Sequence, residues 1–338
     1  MSDSIFLKAF QGTNKRVPVW FMRQAGRYLP AYQDIRKKHS LNEMFNDPEI
    51  ASQVTCQPIG LLNVDAAILF ADILTLPSEM GFKIHFDPQQ GPVIENPITT
   101  ISDLKQIHRC DDLSNIEKTI KLTLPRLPKD VPLVGFAGAP FTVACYLLEG
   151  RSTDGFHKTL QFAQAQPKAF AKLMSLLTVN TITYLKMQKK AGVNAFQLFD
   201  TWGGILPHQE FKQWNLPCVK EIFDAIALPS IYYLKNSAHV TDLMVKSGAD
   251  VLSVCEKINL AKTPALQKSQ KGVQGNLHNE LLYADYDVLE KEILKLLETA
   301  KKYYRKYIFN LSHGVLPDMQ MEKLRFAAQV VHGFKWDE

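Results

Sequence analysis

No CxxC pair occurs in this chain, and its five cysteines, Cys56, Cys110, Cys145, Cys218 and Cys255, are odd in number and scattered over 338 residues. That pattern fits a reducing cytosol rather than a disulfide-bonded secreted scaffold. No run of apolar residues of signal-peptide length occupies the beginning, MSDSIFLKAFQGTNKR, so no targeting segment is expected. Charge of one sign is scarce as well. A net charge of +5 falls short of the dense basic stripe of a nucleic-acid binder and suits an enzyme acting on a small anionic substrate. One charge-free run, VPLVGFAGAPFTVACYLL at 131–148, is long enough to attract attention. Its two prolines and two glycines argue against a membrane helix and for a buried strand, a Gly-Pro turn and a helix start. There is no GxGxxG after a strand-like run, no Ser/Gly linker and no break in composition. With 46% hydrophobic residues, the chain can bury a large core.

What is present is an alternation. Short β-branched or aromatic runs at 17–22, 66–70, 133–136, 195–199, 230–234, 251–254, 272–275 and 307–311 are separated by amphipathic stretches. Helices are predicted within 48–62, 155–191, 208–226, 238–247, 279–302 and 318–332, most of them opened by Asp, Asn, Ser or Pro. Eight such units predict a single-domain α/β protein over 1–338, a closed (β/α)8 TIM barrel. A doubly wound open sheet is the alternative, disfavoured by the missing glycine fingerprint.

In a barrel the chemistry sits after the C-terminal ends of the strands. Polar residues gather there: Arg23 and Arg27 after the first, Asp72 after the second, Tyr146 beyond the third, Asp200 and Thr201 after the fourth and His313 after the eighth. Each has an ordinary structural reading alone: Asp72 and Thr201 as helix caps, Tyr146 as a core aromatic, His313 as a buried histidine. Their convergence on one rim points to a site. The stretch PVWFMRQAGRYLPAY is the strongest signal, because two guanidinium groups directly after an apolar run require solvent or an anion. On a turn of helix, Arg23 and Arg27 would share a face, with Gly26 allowing close approach of a carboxylate.

The same stretch resembles the N-terminal signature of the uroporphyrinogen decarboxylase family, and GFAGAPFTVACYLLEG at 135–150 resembles its second signature. DAAILFADIL, QLFDTWGG, VQGNL and NLSHGVLPD extend the resemblance over nearly the whole chain. It implies a cytoplasmic homodimeric barrel that uses no metal or organic cofactor. Such an enzyme removes carbon dioxide from the four acetates of uroporphyrinogen, a cyclic tetrapyrrole with eight carboxylates, to give coproporphyrinogen in haem biosynthesis; nucleic acid and membrane have no part in it. The resemblance also implies a substrate site of Arg23, Gln24, Ala25, Gly26, Arg27, Asp72, Tyr146, Thr201 and His313. Asp72 would face the pyrrole N–H groups as the catalytic carboxylate. Arginines suit such a ligand, since the guanidinium fork binds carboxylates in bidentate fashion. The proton source is left open, an arginine being a poor acid without a relay.

Departures from the family pattern cluster on the rim after strands six and seven. Ser253-Val254-Cys255-Glu256 and His278-Asn279 are unusual there, and Glu256 would bring a negative charge toward a polyanion unless it points away; Ser312 after strand eight and Trp202 after strand four are further departures. Two rivals follow. One is a related corrinoid or thiol methyltransferase using zinc, for which His108-Arg109-Cys110 has a suitable spacing. The other is a tetrapyrrole-binding homologue without catalysis.

Overall fold

A computed structural model describes residues 3–87, 90–110 and 112–336. Seven parallel strands form one curled sheet in the order β1 (Ala67–Ile68), β4 (Leu133–Gly138), β5 (Ala195–Asp200), β6 (Ser230–Leu234), β7 (Val251–Ser253), β8 (Gly272–Gln274) and β9 (Tyr307–Ile308). An antiparallel hairpin, β2 (Ile84–Asp87) with β3 (Gly91–Ile94), stands apart from them. The predicted barrel is therefore present, and the hairpin was not anticipated.

The predicted first strand is the exception that explains the closure. Segment 17–22 pairs as a stave through a single bridge, Val19 with Phe309. Pro18 has no N–H to give to a ladder, and side chains take over: Asn310 Oδ1 accepts from the Met22 N–H at 3.1 Å and Gln24 Oε1 from that of Phe21 at 3.2 Å. On its other side the stave meets Asp65, just ahead of β1. The Asp65 N–H donates to the Val19 carbonyl at 2.8 Å, and the Asp65 carboxylate accepts from the Val19 N–H at 2.8 Å. Segment 17–22 thus bridges β9 and β1, and the barrel closes.

Helix 48–62 is found as Pro48–Leu62, started by Asp47, whose side chain accepts from Glu49 and Ile50 N–H groups, and ended by Asn63 in the left-handed region. The charge-free run divides as expected into β4 and the helix Pro140–Glu149. Two other predicted helices are broken where proline intervenes. Stretch 155–191 becomes His157–Ala165 and Pro167–Ala191, because a residue before proline disfavours helical backbone. Stretch 208–226 passes through a π turn, Phe211–Asn215, ahead of Pro217. Stretch 238–247 is reduced to Ser237–Val240 and Thr241–Met244, and 279–302 opens with a 3-10 turn before Tyr286–Tyr303. The last helix runs Met321–Gly333. Among the described residues no helix is long and apolar enough to cross a membrane.

The barrel interior carries a polar layer. The buried Trp20 indole donates to Gln274 Oε1 at 2.9 Å, and the Gln274 amide donates to Gln197 Oε1 and Ser253 Oγ, both at 2.9 Å. Four strands or staves are thereby cross-linked beneath the mouth.

The clasp at Asp65 is ionic as well. Arg16 binds both its oxygens, at 2.8 and 2.5 Å, and His332 of the last helix reaches it at 3.0 Å. Burial pushes this carboxyl up, but the hydrogen bonds and charges of Arg16 and His332 outweigh it and hold the pKa below the ordinary carboxyl value. Its contribution to stability is therefore complete above the unfolded pKa of about 3.9 and is lost as pH falls through the lower folded value. Asp65→Asn should cost roughly 2–4 kcal/mol in denaturant unfolding at neutral pH, an effect that shrinks when both proteins are unfolded at acid pH.

Candidate active site

A cavity of about 540 Å³ opens at the mouth formed by the strand C-termini. Arg23, Gln24, Ala25, Asp72, Tyr146, Thr201 and His313 all line it, brought from the ends of five different staves of the barrel. Its walls are apolar: Phe45, Ile68, Leu69, Phe70, Phe136 and Phe199 face the same space. Phe136 and Phe199 meet edge to face at 5.5 Å, and Phe45 lies 4.9 Å from Phe70 and 5.4 Å from Phe86 of the hairpin. The unanticipated hairpin therefore extends one wall, and its Pro92 reaches the cavity.

Arg23 and Arg27 are not on one helical face. Residues 21–29 form a series of turns, and Arg23 adopts φ +61°, a strained conformation for an arginine. This backbone separates the two guanidinium groups: Arg23 enters the cavity, whereas Arg27 and Gly26 do not line it. Gln24 is fully buried and its amide is engaged by backbone, accepting from Phe21 and donating to Ala66 at 3.0 Å. It fastens the turn to β1. Gly26 has ordinary room for a Cβ, so glycine there is not demanded by packing within the chain. Gly314 is different, because a Cβ there would lie 2.5 Å from Arg23 Cδ. The arginine stem runs across the bare backbone of the His313 loop.

Asp72 follows β1 and is half-buried. One oxygen accepts from the Leu74 N–H at 2.8 Å, so the cap reading is correct as far as it goes, and the other oxygen remains for the cavity. Burial pushes its pKa above the ordinary value and prevails over the Leu74 hydrogen bond and the charge of Arg23. His313 is shifted the opposite way. Burial, then the charges of Arg23 and Lys235, push it down to about 4, so the ring is neutral near pH 7. Burial also raises the Tyr146 phenol, which stays a donor at any working pH.

The loop bearing Thr201 and Trp202 is set by Asp200, a fully buried carboxylate. It accepts from Thr142 at 2.7 Å, Gly203 N–H at 3.0 Å, Asn215 at 2.6 Å and Tyr232 at 2.7 Å. The Thr142 hydroxyl in turn accepts from the Trp202 N–H at 3.0 Å. One carboxylate joins two helices, two strands and the loop. The sequence sets it on the rim beside Thr201, but its role as the anchor of this loop was missed.

Lys235 was also missed, although it stands directly after β6 and lines the cavity. The departures on the strand-six and strand-seven rim prove structural. Ser253 belongs to the polar layer, Cys255 is buried against Ser237 at 3.7 Å, His278 accepts from the Glu280 N–H, and Asn279 donates to the Gly314 carbonyl at 3.3 Å. Glu256 is exposed and does not line the cavity. His108 and Cys110 lie away from it too, with the Cys110 N–H bonded to Asn180 at 2.9 Å. Among the described residues no three His, Cys, Asp or Glu side chains come together as metal ligands.

Solved structures share the barrel at low identity: a methyltransferase from Methanosarcina mazei (18% identical, TM-score 0.80, 97% of each chain) and a B12-independent methionine synthase from Shewanella (13%, 0.57, 86% of this chain and 88% of that one). These establish the fold alone. Curated uroporphyrinogen decarboxylases are much nearer in sequence, at 40% identity in Geobacter sulfurreducens and 39% in Trichlorobacter lovleyi, each over 94% of both chains, and 38% in Carboxydothermus hydrogenoformans over 98% of this chain and 96% of the relative. A family model described as uroporphyrinogen decarboxylase (URO-D) matches residues 1–334, and the chain belongs to that family.

Proposed function

We propose that this protein is a uroporphyrinogen decarboxylase, converting the four acetates of uroporphyrinogen III to methyl groups and giving coproporphyrinogen III in haem biosynthesis. Its whole length works as one catalytic domain, in a cytoplasmic homodimer, without a metal or organic cofactor. The observation that carries the reading is the meeting of Arg23, Asp72, Tyr146, Thr201 and His313 in one apolar-walled cavity at the barrel mouth.

The chemistry follows from the ligand. Protonation of a pyrrole at ring carbon makes the ring cationic, and the electron pair of the breaking carbon–carbon bond then has somewhere to go. Carbon dioxide leaves as that pair neutralises the ring. A proton added at the former acetate carbon, with loss of the first from the ring, completes the methyl group. The free oxygen of Asp72 faces the macrocycle centre, accepts pyrrole N–H groups and stabilises the cation in a site walled from water. Those N–H donors also oppose the burial that raises its pKa, favouring the carboxylate once substrate is bound. One fixed anion at the centre serves all four rings as the macrocycle is re-presented. Phenylalanine walls hold the pyrroles, and Arg23, Tyr146, Thr201 and neutral His313 donate to peripheral carboxylates. Gln24 and Ala25 line the floor beside them, with Gly26 and Arg27 as outer contacts at the mouth.

Anaerobic incubation with uroporphyrinogen III, followed by counting carboxylates on the product, tests the function. Four should be lost, and exhaustive chelation should leave the rate unchanged. Loss of activity that zinc restores would favour the methyltransferase reading, and binding without turnover the non-catalytic one.

The role of Asp72 is tested by Asp72→Asn, which keeps the size and removes the charge. It should lower kcat about a hundredfold or more while disturbing KM less. Asp72→Glu moves the charge by about one methylene and should retain partial activity. Asparagine with most of the wild-type kcat, at an unchanged Tm, would reduce Asp72 to a cap.

The two arginines separate by position. Arg23→Ala should lower kcat/KM by about a hundredfold, because it leaves a carboxylate uncompensated in a partly dehydrated cleft, and lysine should rescue little. Arg27→Ala should cost about tenfold or less, as expected of a solvent-exposed contact. Equal losses would place Arg27 in the site proper.

A further inference from the structure

One cation of the cavity has no part in the reaction proposed above. Lys235 is the first residue after β6, half-buried, and it lines the cavity with Arg23, Asp72 and His313. Its backbone is fixed from below. The Lys235 N–H donates to the Asp200 carbonyl at 3.4 Å, and its own carbonyl lies so close to Gly204 that a Cβ there would overlap it. Its ammonium stands 5.4 Å from the centre of the Trp202 ring, within the range of cation–π attraction. Among the described residues it forms no ion pair with a carboxylate.

A half-buried ammonium without a counter-ion is costly, and functional ligand sites are where such groups are kept. The cavity as a whole is short of negative charge, with Asp72 as its carboxylate against Arg23 and Lys235. Burial is the main reason that His313 is neutral, and both cations add to it. An anion is what the arrangement lacks.

The substrate carries carboxylates of two kinds, acetates that are destroyed and propionates that persist. An ammonium paired with the acetate under attack would stabilise the reactant and lose that contact as the charge departs with carbon dioxide, which raises the barrier. A propionate keeps its charge through all four rounds, so the same contact aids binding and opposes no step. We infer that Lys235, steadied on the face of Trp202, anchors a propionate carboxylate of the tetrapyrrole. The indole holds a flexible stem that would otherwise pay ordering entropy on binding, and it shields one side of the ion pair from water. Trp202, one of the departures from the family pattern, thereby gains a purpose.

This inference rests on the proposed function, and its test is built to fail separately. Lys235→Met keeps the apolar stem and removes the charge, while Lys235→Arg keeps the charge. Coproporphyrinogen III retains four propionates and no acetates, so it reports on the anchor alone. In Lys235→Met, KM for uroporphyrinogen III and the inhibition constant of coproporphyrinogen III should both rise about tenfold, the scale of one charge-assisted contact, with kcat within about threefold of wild type. Both constants should also depend less on salt. Lys235→Arg should recover most of the binding, and Trp202→Leu should fall between. An unchanged inhibition constant, whatever happens to KM, overturns the inference, as does a loss confined to kcat. Should the methionine variant fail to fold, Lys235→Gln gives the same comparison. If the wild type released no carbon dioxide, the parent reading would fall, and equilibrium binding of coproporphyrinogen III to wild type and variant would still decide the anchor.

Discussion

The carboxylate of Asp65 is the constraint on which the rest depends. A (β/α)8 barrel has no edge only if its first stave meets its last, and here the first stave contains a proline and pairs through one bridge. Backbone hydrogen bonding alone leaves that seam weak. Asp65 secures the stave on its other side, against β1, by holding Arg16, the Val19 N–H and His332 at once. The chain from Val19 to Arg23 is only a few residues long, so the clasp also sets where the strained arginine enters the mouth. Securing the first stave and bringing Arg23 into the cavity share one structural cause.

Above that seam the molecule layers polar and apolar surroundings in turn. A buried glutamine–tryptophan–serine layer crosses the barrel, a ring of phenylalanines covers it, and the ionisable groups stand at the top. This order places charge where the dielectric is low enough for one carboxylate to matter and where water is limited. The Methanosarcina mazei methyltransferase has the same barrel at a TM-score of 0.80. Shared architecture does not extend to chemistry, which resides in the side chains of the rim.

Much of this was legible in the sequence. Alternating apolar runs announced the staves, and each predicted substrate-site position except Arg27 and Gly26 lines the cavity, because residues after barrel strands converge whatever the loops do. The arginine pair misled because i, i+4 spacing brings side chains together only on a helix, and a left-handed residue at Arg23 breaks that geometry. The hairpin was not anticipated, although KIHF and PVIE flank turn residues, since neither run is fully apolar and each is short. Lys235 and the anchoring role of Asp200 were hidden for another reason. Both adjoin predicted strands, yet their importance comes from partners distant in sequence, Trp202 for one and Thr142, Asn215 and Tyr232 for the other.

Gly314 joins the two ends of the chain in a way that changes how substitutions are read. Since the Arg23 stem lies over its bare α-carbon, the guanidinium owes its place to a residue in the last tenth of the sequence. Any side chain at position 314 would push the arginine aside while leaving it intact. Asn279, bonded to the Gly314 carbonyl, extends the same dependence to the rim after β8. Arg23, Gly314 and Asn279 are therefore linked in space: a side chain at 314 acts on the placement of Arg23, and a change at 279 acts on the backbone over which the arginine runs.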